Sequence, residues 1–459
     1  MQRFDLIIVG TGTGNGIPAA FDDWNIALVE KDVFGGTCLN RGCIPSKMFI
    51  YAADQAASFA EAAKLGVHGR LDRVDWPAIV QRVFGRIDAI AAGGEDYRTN
   101  RCPNITVFRG EGRLVGPKVL EVNGQQLTAP HIILAAGARP HVPHDVAGLD
   151  RVPFHTSDTV MRLAELPERM VILGGGYIAA ELGHVFGSFG TQVDYVLRSS
   201  MMLRESDDDV SHRATHLYGE RFGLHCNSRQ LTVEPGRGGH GVVVRGISQG
   251  ESLHLEADVL LVATGRVPNA DVLNVAASGI ATDPSGTRVL TDANLQTNVP
   301  GVWALGDLTN TQQLKHLANA EGRIVFHNVA HHDRPETWQQ IDRTLVPYAV
   351  FGHPQIAAVG LTERAAHAAG LPYLVATKDY GGTAYGWAME DSSSFCKLIA
   401  HRETRKLLGA HIIGPQASTL IQPLIQGMRF GQTVDDMARD VWYIHPALTE
   451  VVENALLEL

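Results

Sequence analysis

Two stretches of the chain share one pattern, an apolar run followed at once by closely spaced glycines. Residues 4–9 (FDLIIV) lead into Gly10-Thr-Gly-Thr-Gly-Asn-Gly16, and residues 170–173 (MVIL) lead into three glycines at 174–176. Each pattern predicts a buried strand, a tight glycine turn and a helix. Glycines let the backbone approach a pyrophosphate, and a helix N-terminus faces its negative charge. Both stretches therefore predict dinucleotide-binding sites.

The rest of the pattern predicts a chain of mixed α/β class. A third apolar run, 302–305, ends in Gly-Asp, and from residue 346 short apolar strands alternate with helical stretches. We predict two Rossmann-like dinucleotide-binding domains, joined near residues 140–153, and a C-terminal α+β domain. The predicted segments are 1–149 (first nucleotide domain), 150–266 (second nucleotide domain), 267–345 (return to the first, central domain) and 346–459 (C-terminal domain).

Length and composition exclude several classes of protein. A chain of 459 residues is too long for one ordinary core, and 45% hydrophobic with 19% charged residues is typical of globular proteins. The net charge of −10 argues against nucleic acid or an anionic membrane as the main partner. The apolar run near residue 6 is too short for a signal peptide, and no stretch reads as a membrane span. We expect a cytoplasmic protein, in which a lasting disulfide is more often catalytic than structural.

Cys38 and Cys43 are the strongest candidates for chemistry. Five residues of regular helix separate two Cα atoms by about 7.5 Å along the axis, whereas a disulfide tolerates about 7 Å at most. If the two bond, their segment departs from regular helix, which Gly42 and Pro45 make easier. A bond held off its preferred geometry is more easily reduced, as a working disulfide should be.

Half of a zinc site is the alternative interpretation of this pair. Zinc takes four ligands at tighter spacing, and the other three cysteines, Cys102, Cys226 and Cys396, are scattered along the chain. We therefore predict no metal site.

The residues that end each nucleotide motif indicate which nucleotide binds there. Glu30 follows Gly10 by twenty residues, where an acid holds a ribose hydroxyl; a solvated glutamate at a strand end is the alternative. Arg198 ends the second motif, with Arg204 nearby, and arginine there suits a 2′-phosphate and hence NADPH. Surface arginines on a loop are the alternative.

Taken together, these motifs resemble the pyridine nucleotide–disulfide oxidoreductases, the family of glutathione reductase and lipoamide dehydrogenase. The resemblance covers nearly the whole chain and includes Ala263-Thr264-Gly265-Arg266, Gly306-Asp307 and the segment from His445-Pro446 to Glu450. It implies FAD and NADPH as cofactors, redox-active cysteines in segment 1–149, a homodimer with 346–459 as its dimerisation domain, and reduction of a small disulfide.

Within this family, three stretches resemble the mycothione reductases: residues 41–53, 155–162 and 384–391. That likeness implies mycothione as the substrate, reduced to mycothiol. Dihydrolipoamide dehydrogenase or a glutathione-type reductase is the alternative among enzymes, and a nucleotide-binding redox sensor or scaffold is the alternative outside them. Dihydrolipoamide dehydrogenase has an acidic residue at the position of Arg198, so the arginine argues against that enzyme.

The resemblance also implies a role for each catalytic residue. Cys43 is expected nearer the flavin and Cys38 to attack the substrate as a thiolate. Lys47 is expected to pair with Glu181 beside the flavin ring. His445 is expected to act as acid and base, oriented by Glu450, and to reach the cysteines from the partner subunit.

The residues implied in cofactor binding fall into two sets, with Tyr177 expected to cover the nicotinamide pocket. The FAD set is Gly10, Gly12, Gly14, Glu30, Lys31, Thr37, Gly112, Ala136, Gly137, Asp307 and Ala318, and the NADPH set is Gly174, Gly176, Tyr177, Ile178, Ala179, Arg198, Arg204, Gly265 and Arg266.

Two positions depart from the family pattern. Asn15 replaces the third glycine of the first motif, and residues 22–25 cut the following helix short. We therefore expect a short helix with unusual packing on the sheet. Ala447 replaces the usual threonine after His-Pro, which removes a hydroxyl but keeps the imidazole and its acid.

Overall fold

The computed structural model describes all 459 residues, which form two compact units. The first unit comprises residues 1–46, 78–141 and 266–342. The second comprises residues 47–77, 142–265 and 343–459. Each unit is thus assembled from three separate stretches of the chain.

The strands are short, and most have two to five residues. They are β1 (Gln2–Arg3), β2 (Leu6–Val9), β3 (Ile26–Glu30), β4 (Ile105–Arg109), β5 (Arg113–Gly116), β6 (Val119–Val122), β7 (Gln125–Thr128), β8 (His131–Leu134), β9 (Ala138–Pro140), β10 (Arg169–Leu173), β11 (Gln192–Val196), β12 (Gly223–His225), β13 (Arg229–Pro235), β14 (Val242–Ser248), β15 (Glu251–Ala257), β16 (Val259–Val262), β17 (Arg266–Pro268), β18 (Val302–Ala304), β19 (Tyr348–Val350), β20 (Ile356–Gly360), β21 (Tyr373–Asp379), β22 (Phe395–His401) and β23 (Leu407–Ile413).

Eleven α-helices accompany them. They are α1 (Gly36–Asn40), α2 (Cys43–Ala63), α3 (Trp76–Asn100), α4 (Tyr177–Ser188), α5 (Asp208–Arg221), α6 (Lys315–Ala330), α7 (Glu363–Ala368), α8 (Ala384–Ala388), α9 (Ala417–Arg429), α10 (Val434–Arg439) and α11 (Thr449–Leu457). None of them combines the length and the apolarity needed to cross a bilayer.

The first unit is built on a five-stranded parallel sheet in the order β18-β8-β2-β3-β4. Every residue of β2, β3 and β8 is buried, as expected for parallel strands covered on both faces. The carboxyl end of β2 opens directly into the first glycine turn, so the first predicted nucleotide site lies at this edge of the sheet.

The second unit contains the second nucleotide motif on a four-stranded parallel sheet, β12-β11-β10-β16. Its C-terminal part is a five-stranded antiparallel sheet, β19-β20-β23-β22-β21. Leu420, Leu424, Val451 and Ala455 from α9 and α11 share one core cluster with this sheet. The predicted fold class, α/β with a C-terminal α+β part, is confirmed.

The helix expected after the first glycine turn is absent. Two single 3₁₀ turns, Thr13–Asn15 and Ala19–Phe21, occupy its place, whereas α4 follows the second turn as predicted. Gly14, Gly16 and Pro18 lie within five residues and disfavour an α-helix here. Glycine loses more conformational entropy when a helix forms, and proline has no N–H to donate to the backbone hydrogen bonds of the helix.

Candidate active site: a cysteine pair, two ion pairs and two nucleotide sites

The helical segment that carries the two cysteines is broken between them. Helix α1 ends at Asn40, Arg41 adopts φ −145°, and α2 begins at Cys43. Cys38 and Cys43 therefore belong to two successive helices, and the departure from regular helix that a disulfide requires is present. Both cysteines are free thiols in this structure.

The two thiols interact with each other. A hydrogen bond with Cys43 and partial burial raise the pKa of the Cys38 thiol, whereas the positive charge of Lys315 lowers it. Cys43 is the more exposed of the two. The net effect is a raised pKa for the Cys38 thiol, which the Lys315 charge partly opposes.

Lys47 follows Cys43 by one turn of α2 and meets Glu181 of α4. The Lys47 Nζ lies 2.8 Å from Glu181 Oε1 and 2.7 Å from Oε2. Glu181 is buried, and its Oε1 also accepts a hydrogen bond from the Phe351 backbone N–H at 3.0 Å. The Phe351 ring lies 4.7 Å from the Lys47 ammonium, close enough for a cation–π contact. The pair expected from the resemblance is formed.

His445 and Glu450 form the second expected pair. The His445 Nδ1 lies 2.7 Å from Glu450 Oε1, and the side chains are 72% and 17% exposed. A carboxylate at Nδ1 fixes the ring and leaves Nε2 to exchange a proton, which is the arrangement a general acid–base needs. The imidazole faces solvent in the single chain.

The first glycine turn has no room for a side chain at Gly10. A Cβ on Gly10 (φ 105°) would lie 2.4 Å from the Ala135 carbonyl oxygen, so no other residue fits there. Glu30 is buried at the next strand end, where its Oε2 accepts hydrogen bonds from the Thr11 N–H at 2.9 Å and hydroxyl at 2.7 Å. The Glu30 carboxylate thus shapes the turn itself, a contact that the sequence did not predict.

Arg98 of α3 binds the 3₁₀ turn Thr13–Asn15, which stands where a helix was expected. Its Nε donates to Asn15 Oδ1, and its Nη2 donates to the Asn15 carbonyl oxygen, both at 2.8 Å. The residue that departs from the family pattern is therefore anchored by a guanidinium eighty-three positions later. Sequence reasoning missed Arg98, because nothing local to the motif indicates it.

The loop after β18 carries Asp307 on a 3₁₀ turn, Gly306–Leu308. Burial raises the pKa of Asp307, while the charges of Arg266 and Lys315 lower it. Glu321, fully buried on α6, holds this loop: its Oε2 accepts from the Gly306 N–H at 2.7 Å and from Asn310 Nδ2 at 2.9 Å. Glu321 is a second residue that sequence reasoning missed.

The other residues predicted to contact FAD also lie in the first unit, within the strand ends, loops and helices of the same nucleotide fold. They are Gly12, Gly14, Lys31, Thr37, Gly112, Ala136, Gly137 and Ala318. The Gly12 and Gly14 positions belong to the turn after β2, and Gly137 has φ 63°, which favours glycine.

The second glycine turn has the complete strand–turn–helix form. Gly174 (φ 125°) would place a Cβ 2.3 Å from the Ala263 carbonyl oxygen, so glycine is required for close packing. A Cβ on Gly176 would meet no atom within 4 Å, so the space beside the N-terminus of α4 is open. Open space at an uncapped helix N-terminus fits a pyrophosphate. Ile178 and Ala179 lie in the first turn of α4.

Arg198 and Arg204 follow β11 and are both exposed, at 68% and 70%. Arg198 has a loose contact with Asp145 at 3.4 Å, so its guanidinium can turn toward a phosphate. Tyr177 is the first residue of α4 and is 43% exposed, as a covering side chain requires.

Gly265 and Arg266 fall on opposite sides of the division between the units. Gly265 (φ 121°) belongs to the second unit, and Arg266 to the first. Arg266 donates to the Ala138 carbonyl oxygen at 2.6 Å, and its charge acts on Asp307. Both contacts lie within the first unit.

Comparison with known proteins agrees with this geometry. Residues 4–332 match the family model described as pyridine nucleotide-disulphide oxidoreductase, and residues 346–456 match the dimerisation domain of the same family. The chain is 48% identical over 469 residues to a mycothione reductase from Mycobacterium tuberculosis, with all of both chains covered. It is 33% identical to a dihydrolipoyl dehydrogenase from Chlamydia trachomatis, with 99% of this chain and 97% of the relative covered.

A solved structure has the same architecture throughout. It is the Cu(II) complex of RclA, an HOCl-induced flavoprotein disulfide reductase from Escherichia coli, with a TM-score of 0.86, 26% identity and complete coverage of both chains. A family model that spans most of the chain and relatives that align from end to end place the sequence without ambiguity. The chain belongs to the pyridine nucleotide-disulphide oxidoreductase family.

Proposed function

We propose that this oxidoreductase uses NADPH and FAD to reduce mycothione to mycothiol, through a disulfide between Cys38 and Cys43. The observation that carries the choice of substrate is the 48% identity to a mycothione reductase along the whole chain. The broken helix that leaves both thiols in contact supports the choice of cysteines.

FAD and NADPH, the cofactors of the family, supply a hydride and carry two electrons to the cysteine pair when they are bound. Gly10, Gly12 and Gly14 with Asp307 are proposed to hold the first nucleotide. Gly174, Gly176 and Arg198 are proposed to hold the second. The open space at Gly176 and the exposed guanidinium of Arg198 support this assignment.

The reduced pair then exchanges with the substrate in two steps. The Cys38 thiolate attacks one sulfur of the substrate disulfide, forms a mixed disulfide and releases one substrate thiolate, which takes a proton from His445. The Cys43 thiol next gives its proton to His445, attacks the Cys38 sulfur and releases the second substrate thiolate, which takes that proton back from His445. Two electrons leave the pair, one disulfide is re-formed between Cys38 and Cys43, and two thiols are produced.

We further propose that His445 serves the cysteine pair of a partner subunit. The dimerisation match, residues 346–456, includes both His445 and Glu450. Trp442 and Ile444, just before it, are 97% and 75% exposed, and apolar surface of this kind is usually covered by a partner. Mixing Cys38→Ser and His445→Ala subunits, each inactive alone, should restore about a quarter of the wild-type activity through mixed dimers. No recovery would mean that the histidine acts within its own subunit.

The substrate is tested by NADPH oxidation with mycothione, glutathione disulfide, trypanothione disulfide and lipoamide. We expect kcat/KM for mycothione to exceed the others by about 10²-fold. Preference for lipoamide would favour the dihydrolipoyl dehydrogenase reaction instead. Cys38→Ser should abolish turnover, whereas Cys226→Ser, which alters a buried cysteine outside the pair, should not.

We also propose a cytoplasmic location. Cys102, Cys226 and Cys396 are buried single thiols, which suits a reducing compartment. Fractionation of cells that express a tagged chain tests this location.

A further inference from the structure

Lys315 is a charged residue to which the sequence motifs assign no role. It is the first residue of α6, and the N-cap Leu314 offers no side-chain hydrogen bond to that helix end. The Lys315 side chain is half-buried, and its Nζ donates a hydrogen bond to the Thr13 hydroxyl at 2.8 Å. Thr13 belongs to the first glycine turn. The lysine is therefore held in place at the predicted FAD site.

The helix that carries Cys38 packs against the same turn. A Cβ on Gly36, in the first turn of α1, would lie 2.7 Å from the Cα of Gly12. A Cβ on Gly322 of α6 would lie 2.8 Å from Thr13 Cγ2, so α6 approaches the turn closely as well. Residues of α1 and α6 thus both approach the turn at residues 12–13. Cys38 lies two residues after Gly36, and Lys315 contacts Thr13 directly.

The other cations on this segment are already paired with carboxylates. Arg41, which follows α1, pairs with Asp32, and Lys47 pairs with Glu181. Cys43 raises the pKa of Cys38, and the Lys315 charge acts in the other direction on Cys38 and also lowers the pKa of Asp307.

We propose that Lys315 stabilises the thiolate form of the reduced Cys38–Cys43 pair. Reduction of the disulfide takes two electrons and one proton and yields one thiol and one thiolate. The thiolate is the reactive species, and its negative charge persists until substrate is attacked. A fixed ammonium group favours that charge. Lys315 is a positioning residue that acts through its electric field, and this role rests on the proposed function of the two cysteines.

A purely structural role predicts a different outcome from the charge role. If Lys315 only ties α6 to Thr13, glutamine, which also donates a hydrogen bond, should replace it with little effect. If its charge acts on the cysteine pair, glutamine should fail and arginine should succeed. Lys118 provides a matched control, because its Nζ also donates a hydrogen bond within the first unit, to the Pro130 carbonyl oxygen at 2.9 Å.

The test is the pH dependence of alkylation of the reduced pair. Holoenzyme is reduced with dithiothreitol, desalted and treated with iodoacetamide at a series of pH values, and alkylation of the peptide with Cys38 and Cys43 is followed by mass spectrometry. We expect Lys315→Gln to shift the midpoint upward by about one pH unit, which lowers the rate below the midpoint about tenfold. Lys315→Arg should restore the wild-type midpoint, and Lys118→Gln should not move it.

An unchanged midpoint in Lys315→Gln, failure of Lys315→Arg to restore it, or an equal shift in Lys118→Gln would each overturn the proposal. Because dithiothreitol reduces the cysteines directly, the measured alkylation midpoint does not depend on hydride transfer from NADPH. A parallel sample reduced with NADPH separates the two ideas: if NADPH fails to make Cys38 and Cys43 open to alkylation, the proposed function fails, while the chemically reduced sample still decides the role of Lys315.

Discussion

Lys47 and Glu181 meet through both carboxylate oxygens, at 2.8 and 2.7 Å from the same ammonium nitrogen. The glutamate is almost fully buried, at 6% side-chain exposure, whereas the lysine is 36% exposed. Loss of the lysine leaves a buried carboxylate without its counter-ion, which costs more than loss of a surface ion pair. The pair therefore contributes to stability within the second unit.

We expect Lys47→Met to lower the free energy of unfolding by about 2 kcal/mol. The surface pair of Lys378 and Glu458, at 2.8 Å with the glutamate 45% exposed, provides the control. Lys378→Met should cost less than about 1 kcal/mol. Urea unfolding of both variants measures the difference, and equal losses would show that the buried carboxylate finds another partner.

Glu450→Gln should separate the two halves of the reaction. Glutamine keeps the size of the side chain but removes the negative charge at His445 Nδ1, so proton transfer to the leaving thiolate slows. We expect turnover with the disulfide substrate to fall about 10²-fold, while the rate at which NADPH reduces the cysteine pair stays unchanged. Glu453→Gln, one turn further along α11, is the control. A parallel loss in both half-reactions would contradict the assignment.

Arg198→Glu should raise the KM for NADPH about tenfold or more and that for NADH much less, because only NADPH carries the 2′-phosphate. Arg169→Glu is the matched control: Arg169 is also exposed and begins β10, at the end of that strand opposite to the glycine turn. Steady-state kinetics with both nucleotides decides the matter. Equal changes for the two nucleotides would place the phosphate at another residue.

We expect the free energy of unfolding to fall in mild acid because His131 is buried. It is buried at the start of β8, its Nδ1 has no hydrogen-bond partner, and the ring of His332 lies 4.4 Å away. Burial, followed by the charge on His332, lowers the pKa of His131 from 6.5 to about 4. The folded state therefore binds fewer protons than the unfolded state between these values, and stability falls as the pH falls through this window. The full effect is about 3 kcal/mol.

Denaturant unfolding at pH 7, 5 and 4 measures this dependence. His131→Gln should lose less stability than wild type between pH 7 and 4, and His332→Gln should give an intermediate slope, since it removes one cause of the low pKa. If wild type and His131→Gln show the same slope, other groups account for the acid sensitivity.

The sequence predicted those parts of the site that depend on neighbouring residues. The two glycine turns and the break between Cys38 and Cys43 depend on spacings of a few residues, so the local pattern contains them. The pair of His445 with Glu450 came from the resemblance to a family. The pairing of Lys47 with Glu181 joins distant residues and came from the resemblance to a family, not from spacing.

The sequence did not reveal the residues that reach the site from far along the chain. Lys315 meets Thr13 across 302 positions, and Arg98 meets Asn15 across 83. Such contacts depend on how the sheet brings its loops together, and a single sequence carries no periodic signal for them. The helix expected after the first turn is a different case: residues 22–25 indicated a short helix, but Gly14, Gly16 and Pro18 together allow only 3₁₀ turns.

The tie between Arg98 and Asn15 has a consequence for how such chains can diverge. Since one guanidinium satisfies both the side chain and the carbonyl of Asn15, neither residue can change alone without leaving the loop unsupported. Substitutions at Asn15 and Arg98 should therefore occur together during evolution. If a substitution at position 15 restored the helix after the glycine turn, Arg98 would no longer be needed and could change freely.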